Sequence, residues 1–67
     1  MEKGTRVIAR DYQNRELLRV VWEDVGAGVL LCTVGAYDQA QRKGAEPVTV
    51  GFPRYDVCLE HEQMNYE

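Results

Sequence analysis

The sequence predicts a small, mainly β protein with one short helix. Its 67 residues suffice for a single domain whose core is small. Short runs with the two-residue alternation of β-strands recur along the chain, and Gly, Pro and Asn residues that favour turns separate them. One segment, residues 36–43, has the spacing and the ending of a helix instead. We therefore expect five strands, with the helix between the third and the fourth.

The first two strands are predicted to form a hairpin. In residues 5–11, Val7 and Ala9 share one face, while Arg6 and Arg10 share the other, with Ile8 between them. Asn14 suits the turn that follows, because its short amide tolerates a positive φ. Residues 16–23 are rich in β-branched and aromatic side chains and form the second strand.

The third strand needs cover on both of its faces. It spans residues 29–34, follows the glycine-containing turn at residues 26–28, and is apolar on both sides. The predicted helix is the candidate cover, with Tyr37 as its anchor and Gly44 as the residue that ends it. A helix of about two turns depends on such packing, since isolated short helices are marginal in water.

Two further short strands complete the predicted sheet. Residues 48–52 alternate, with Val48, Val50 and Phe52 expected to point inward. Residues 53–56 indicate a tight turn or a single 3₁₀ turn, and residues 57–59 form the closing strand. We expect one domain over residues 1–60 and a polar C-terminal tail over residues 61–67.

The order of these elements resembles the SH3-like barrel, a five-stranded fold that rolls its sheet on itself. Two local motifs add to the likeness. Ala9-Arg10-Asp11-Tyr12 is similar to the Ala-Leu-Tyr-Asp-Tyr element of SH3 domains, and the Pro53–Val57 run is similar to their Pro-x-x-Tyr-Val ending. The acidic loop and the tandem tryptophans of that family are missing, so the resemblance implies the barrel and not the specificity for proline-rich peptides.

Charge and hydropathy exclude some classes of function. The net charge of −3 argues against a general binder of polyanions, whose affinity comes from a basic surface. No apolar run approaches the length of a membrane helix, and the N-terminus lacks the apolar stretch of a signal peptide. We expect a cytoplasmic protein that does not bind membranes.

The residues offer little for catalysis or metal binding. The chain has one histidine and no serine, so we expect no enzymatic activity and no cofactor. Cys58 and His61 have the spacing of half a zinc site, with Cys32 as a third ligand, but a closed site needs four. We therefore expect no metal, and we expect both cysteines to be small buried core residues.

The leading hypothesis is a non-catalytic, adaptor-like module that binds an unidentified protein or peptide. Aromatic side chains dominate protein contacts. Trp22 and Phe52 are expected to belong to the core, which leaves Tyr12, Tyr55 and Tyr37 as the exposed anchors of a binding surface.

A small nucleic-acid-binding barrel is the alternative. Arg6, Arg10 and Arg19 are predicted to lie on one outer surface, with Tyr12 near its end, and such surfaces bind phosphates and stack on bases. A homo-oligomer is also possible, because a core this small is often supplemented by self-association. An oligomeric enzyme with a shared site is the third hypothesis.

Overall fold

A computed structural model describes residues 1–60 as a five-stranded antiparallel sheet with one helix. The strands are β1 (Arg6–Arg10), β2 (Glu16–Asp24), β3 (Gly28–Cys32), β4 (Val50–Pro53) and β5 (Val57–Leu59), and helix α1 spans Val34–Lys43. Their order across the sheet is β4-β3-β2-β1-β5. A 3₁₀ turn, Arg54–Asp56, connects β4 to β5. The predicted tail over residues 61–67 lies outside the described residues.

Both predicted hairpins are confirmed. Asn14 has a φ of 65° in the turn between β1 and β2. In the turn between β2 and β3, Gly26 has a φ of 88°, a conformation that L side chains rarely adopt. Gly28 lies so close to β4 that an added Cβ would stand 2.7 Å from the carbonyl oxygen of Phe52. The close approach of β3 and β4 at this point thus requires a glycine.

The hydrophobic core lies on one face of the sheet and draws on every strand. It consists of six buried residues, with Met1, Phe52 and Leu59 packed against them: Val7, Ala9, Val21, Val29, Leu31 and Val57. The strand register explains this grouping. Val21 pairs with Leu31, and Ala9 pairs with Val57, so that their side chains share one face.

Helix α1 covers part of the opposite face, as the sequence predicts. The Thr33 side chain caps its first turn by accepting a hydrogen bond from the Ala36 amide at 3.1 Å, and Gly44 ends it with a φ of 71°. Ala40 is its buried residue, and Val20 and Cys32 on the sheet are also buried. Thr33 caps the helix and Val34 is its first residue, so β3 ends at Cys32, two residues before the end of the strand predicted over residues 29–34.

The predicted inward packing of the fourth strand is wrong for two of its three residues. Val48 lies outside β4 and is 87% exposed, while Val50 is 58% exposed. Phe52 alone packs against the core. The physical reason is that, among residues 1–60, β4 is the last strand at its edge of the sheet, so that no neighbouring strand in this part of the chain covers its outer side.

Trp22 and Cys58 are not core residues, contrary to expectation. Trp22 is half-buried on the side of the sheet away from the core cluster, because successive strand residues point to opposite faces and it follows the core residue Val21. The register of the β2/β3 pairing shifts between Val21 and Glu23, at the position of Trp22. Cys58 is exposed. It pairs with Ile8 on the same side of the sheet.

Within residues 1–60 the sheet is open, since no pairing joins β4 to β5. The chain is therefore mainly β with a five-stranded antiparallel sheet, and a closed barrel is not observed. The 3₁₀ turn is present where the sequence predicts it. No helix of this part of the chain has the length and apolar character needed to cross a membrane.

The core assignment predicts a difference between two valines four residues apart. Val21→Ala should lower the free energy of unfolding by about 2 kcal/mol, because it removes two methyl groups from a packed site. Val25→Ala should change the free energy of unfolding by less than about 0.5 kcal/mol. Val21 is 0% exposed and Val25 is 52% exposed. Urea unfolding followed by circular dichroism measures both, and equal effects would contradict the assigned core.

Candidate functional site

Tyr12 stands at the tip of the β1/β2 hairpin, on a turn held by the preceding residue. One carboxylate oxygen of Asp11 accepts hydrogen bonds from the amides of Gln13 and Arg15, each at 2.9 Å. The other accepts from Nε of Arg15, also at 2.9 Å. The Arg15 amide is the main reason that the pKa of Asp11 lies below its usual value. The turn is thus braced, while the Tyr12 side chain is 92% exposed.

Tyr55 lies in the 3₁₀ turn and is 88% exposed. The residue before it, Arg54, fixes this turn to the β2/β3 hairpin. Its Nε donates to the carbonyl oxygen of Gly26 at 2.8 Å, and its guanidinium forms an ion pair with Asp24. The second exposed tyrosine is therefore also held by an acid–arginine contact.

Asp24 is the centre of a small polar cluster. Its carboxylate accepts from the amino group of Met1, from the Gly26 amide at 2.9 Å and from Arg54. These contacts, the Met1 ammonium first, hold the pKa of Asp24 well below the usual range of a carboxyl group. The cluster joins the N-terminal residue, the β2/β3 hairpin and the 3₁₀ turn.

The strand register relates the two exposed tyrosines to each other. Ala9 and Val57 form the last pair of the β1/β5 ladder. Tyr12 follows Ala9 by three residues, and Tyr55 precedes Val57 by two. Both tyrosines therefore lie beyond the same end of this ladder. We call the region defined by Tyr12 and Tyr55 the tyrosine end.

Tyr37 is placed elsewhere and has a packing role. Its ring meets that of Trp22 edge to face, with centroids 6.2 Å apart and an interplanar angle of 73°. The ammonium group of Lys3 lies 3.7 Å from the centre of the Trp22 ring. Tyr37 is half-buried in this stack, on the side of the sheet that α1 covers. The structure does not bring it together with Tyr12 or Tyr55.

The three arginines of the alternative hypothesis do not share a surface. Arg19 pairs directly with the core residue Val7, so it lies on the core side of the sheet, where its guanidinium donates to the carbonyl oxygen of Leu18. Arg6 and Arg10 lie on the other side, in alternation with Val7 and Ala9. The predicted single outer surface is wrong for Arg19, because two strands paired in this register place it opposite Val7.

The two cysteines lie on β3 and β5, three strand spacings apart. At about 4.8 Å for each spacing this separates them by roughly 14 Å, too far for a disulfide or a shared metal ion. Both are free thiols, and burial raises the pKa of Cys32. Among residues 1–60, no three His, Cys, Asp or Glu side chains come together as metal ligands, and His61 lies outside this range.

Two surface clefts lie away from the predicted site residues. One, of about 300 Å³, lies between α1 and the segment after it, and its lining includes Ala40, Lys43 and Val48. The other, of about 340 Å³, lies beside the β2/β3 hairpin, and Gly51 and Phe52 line part of it. Neither includes Tyr12, Tyr37 or Tyr55.

Of the two acid–arginine contacts that hold the tyrosine turns, the sequence gives a local signal for one and none for the other. Asp11 two residues before Gln13 has the local signal of an Asx turn, in which the carboxylate accepts from a nearby amide. The contact between Asp24 and Arg54 joins residues 30 apart and leaves no local pattern. Only the tertiary structure brings Asp24 and Arg54 together.

Comparison of the chain with protein-family models, with curated proteins and with solved structures found no match.

The Asp24 cluster predicts an acid-sensitive contribution to stability. Because the pKa of Asp24 is lowered in the folded state, this contribution is present above the ordinary carboxyl pKa of 3.8 and is lost as the pH falls below it. Asp24→Asn should lower the free energy of unfolding at neutral pH, and the difference from wild type should shrink below about pH 4. Urea unfolding across this pH range measures it.

Asp38→Asn is the matched control. Asp38 is an exposed residue of α1 whose carboxylate lies 3.9 Å from Arg42. Exposed ion pairs contribute little to stability, so this variant should unfold nearly as wild type at every pH. An Asp24→Asn variant that behaved in the same way would contradict the structural role of the cluster.

Proposed function

We propose that this protein is a non-catalytic interaction module that binds a protein or peptide through the tyrosine end. The observation that carries the proposal is the pair Tyr12 and Tyr55, about nine-tenths exposed, on two braced turns at the same end of the β1/β5 ladder. Neither side chain contributes to the core. The exposure of two large aromatic rings to water is unfavourable in free energy, and a binding role would account for it.

The physical properties of tyrosine support this role. A tyrosine ring offers a large apolar area with little conformational entropy to lose, and its hydroxyl adds a hydrogen-bonding group. The backbones that carry Tyr12 and Tyr55 are held by Asp11 with Arg15 and by Asp24 with Arg54. A partner would therefore meet turns that are already ordered, which lowers the entropic cost of binding.

The same proposal includes an SH3-like architecture and a cytoplasmic location. The meander of four strands, the 3₁₀ turn and the short last strand support the first, although the sheet is open in the described residues. Two free thiols are compatible with a reducing compartment and support the second. Tyr37 is assigned to packing instead of binding.

Selection of peptides tests the proposed site. Immobilised wild-type protein should enrich sequences from a phage-displayed library of random peptides, and Tyr12→Ala/Tyr55→Ala should lose binding to the enriched peptides by at least roughly tenfold, the effect of one lost anchor. Fluorescence anisotropy with labelled peptides measures this loss. The double variant should retain the wild-type melting temperature, since both side chains are exposed.

Tyr37→Phe serves as the matched tyrosine control. It keeps the ring that packs on Trp22, and the proposal expects peptide affinity equal to that of wild type. A double variant that binds as tightly as wild type, or a library that yields no enriched peptide, would overturn the proposal.

The nucleic-acid alternative is less well supported by the geometry. Arg19 is separated from Arg6 and Arg10 by the sheet, and Arg10 lies 3.4 Å from Glu16. We expect a fluorescent single-stranded oligonucleotide to show no anisotropy change at low salt. Binding that weakens linearly with the logarithm of salt concentration and is lost in Arg6→Gln/Arg10→Gln would instead establish the alternative.

A further inference from the structure

The charged residues of the tyrosine end are balanced in number but not in their pairing. Its two turns, residues 10–16 and 54–56, carry three arginines and three acidic residues: Arg10, Arg15, Arg54, Asp11, Glu16 and Asp56. Nε of Arg15 donates to a carboxylate oxygen of Asp11 at 2.9 Å. A guanidinium nitrogen of Arg10 lies 3.4 Å from a carboxylate oxygen of Glu16. The two arginines that flank the β1/β2 turn therefore each have an acidic partner already.

The third arginine is paired with an acid from outside these two turns. Arg54, the residue before Tyr55, forms an ion pair with Asp24, and its Nε donates to the carbonyl oxygen of Gly26 at 2.8 Å. An acidic partner would have to compete with the acids of the chain itself for all three arginines. The positive charges of the tyrosine end are thus neutralised within the protein.

Asp56 is the acidic residue that remains. It follows Tyr55 in the 3₁₀ turn, and among residues 1–60 it takes part in none of the ion pairs. It comes directly before β5, at the same end of the β1/β5 ladder beyond which Tyr12 lies. The charge that the pairing in this part of the chain leaves uncompensated between the two tyrosine turns is therefore negative.

We propose that the partner of the tyrosine end is a basic peptide segment in which a lysine or an arginine pairs with Asp56; this rests on the binding function proposed above. The two tyrosines suit the same partner, because lysine and arginine place both their apolar stem and their cation against aromatic rings. The chain itself shows such a contact, since the ammonium group of Lys3 lies 3.7 Å from the centre of the Trp22 ring.

The charge of the whole chain acts in the same direction. A net charge of −3 attracts a cationic segment before contact and repels an anionic one, which raises the association rate of the first. An acidic peptide or a phosphate backbone would meet the opposite field. Local pairing and overall charge thus favour the same class of partner.

Peptide selection with charge variants of Asp56 tests the proposal. The wild-type protein should enrich peptides of net positive charge from the random library. Asp56→Asn should weaken their binding by roughly threefold at low salt, the effect of one exposed ion pair, and should make binding less sensitive to salt. Asp56→Lys should enrich acidic peptides from the same library, a reversal that loss of structure would not produce. Fluorescence anisotropy measures the affinities.

Asp38→Asn is the matched control. It removes the same charge from α1, away from the two turns, and should bind the enriched peptides as the wild type does. Circular dichroism checks that each variant is folded. Should the Asp56 variants not fold, a change in the peptide decides instead: replacement of its selected lysine or arginine by glutamine should weaken binding to the wild-type protein by roughly threefold.

Two results would overturn the basic partner and leave the binding function standing. One is a set of enriched peptides that depend on Tyr12 and Tyr55 but are neutral or acidic. The other is an Asp56→Asn variant that binds basic peptides as tightly as Asp38→Asn does. A library that yields no enriched peptide would overturn both proposals.

Discussion

The burial of two neighbouring residues of β2 sets the constraint on which this fold depends. Val20 and Val21 are both buried, although successive side chains of a strand point to opposite faces. The sheet must therefore be covered on both sides by a chain of small size. Helix α1 covers the side of Val20 and Cys32, while the other side is filled by the core cluster, to which every strand contributes.

A chain this short cannot bury all of its large apolar side chains, and the exposed ones define its candidate binding surfaces. The two turns that carry Tyr12 and Tyr55 are ordered by polar contacts instead of apolar burial, through Asp11 at one turn and Asp24 at the other. On β4, which pairs only with β3 among residues 1–60, Val50 is exposed. The two regions thus offer different chemistry, one aromatic and one made of backbone and small apolar groups.

Local patterns were sufficient to predict most elements of the fold. The left-handed Asn14 and Gly44, the glycine turn at Gly26 and the 3₁₀ turn all appear where residue preferences place them. Local patterns failed for the fourth strand, where alternation predicted inward packing. Alternation shows which residues share a face but not whether a neighbouring element covers that face, and β4 lies at the end of the sheet.

The sequence alone determined the elements, their order and the exposure of Tyr12, because these follow from φ/ψ preferences and from periodicity over a few residues. Tertiary structure alone decided which residues meet: it separated Arg19 from Arg6, placed Tyr37 against Trp22, and joined Asp24 to Arg54. The physical reason is strand register. A contact between residues 30 apart depends on how several strands pair, and no local preference encodes that pairing.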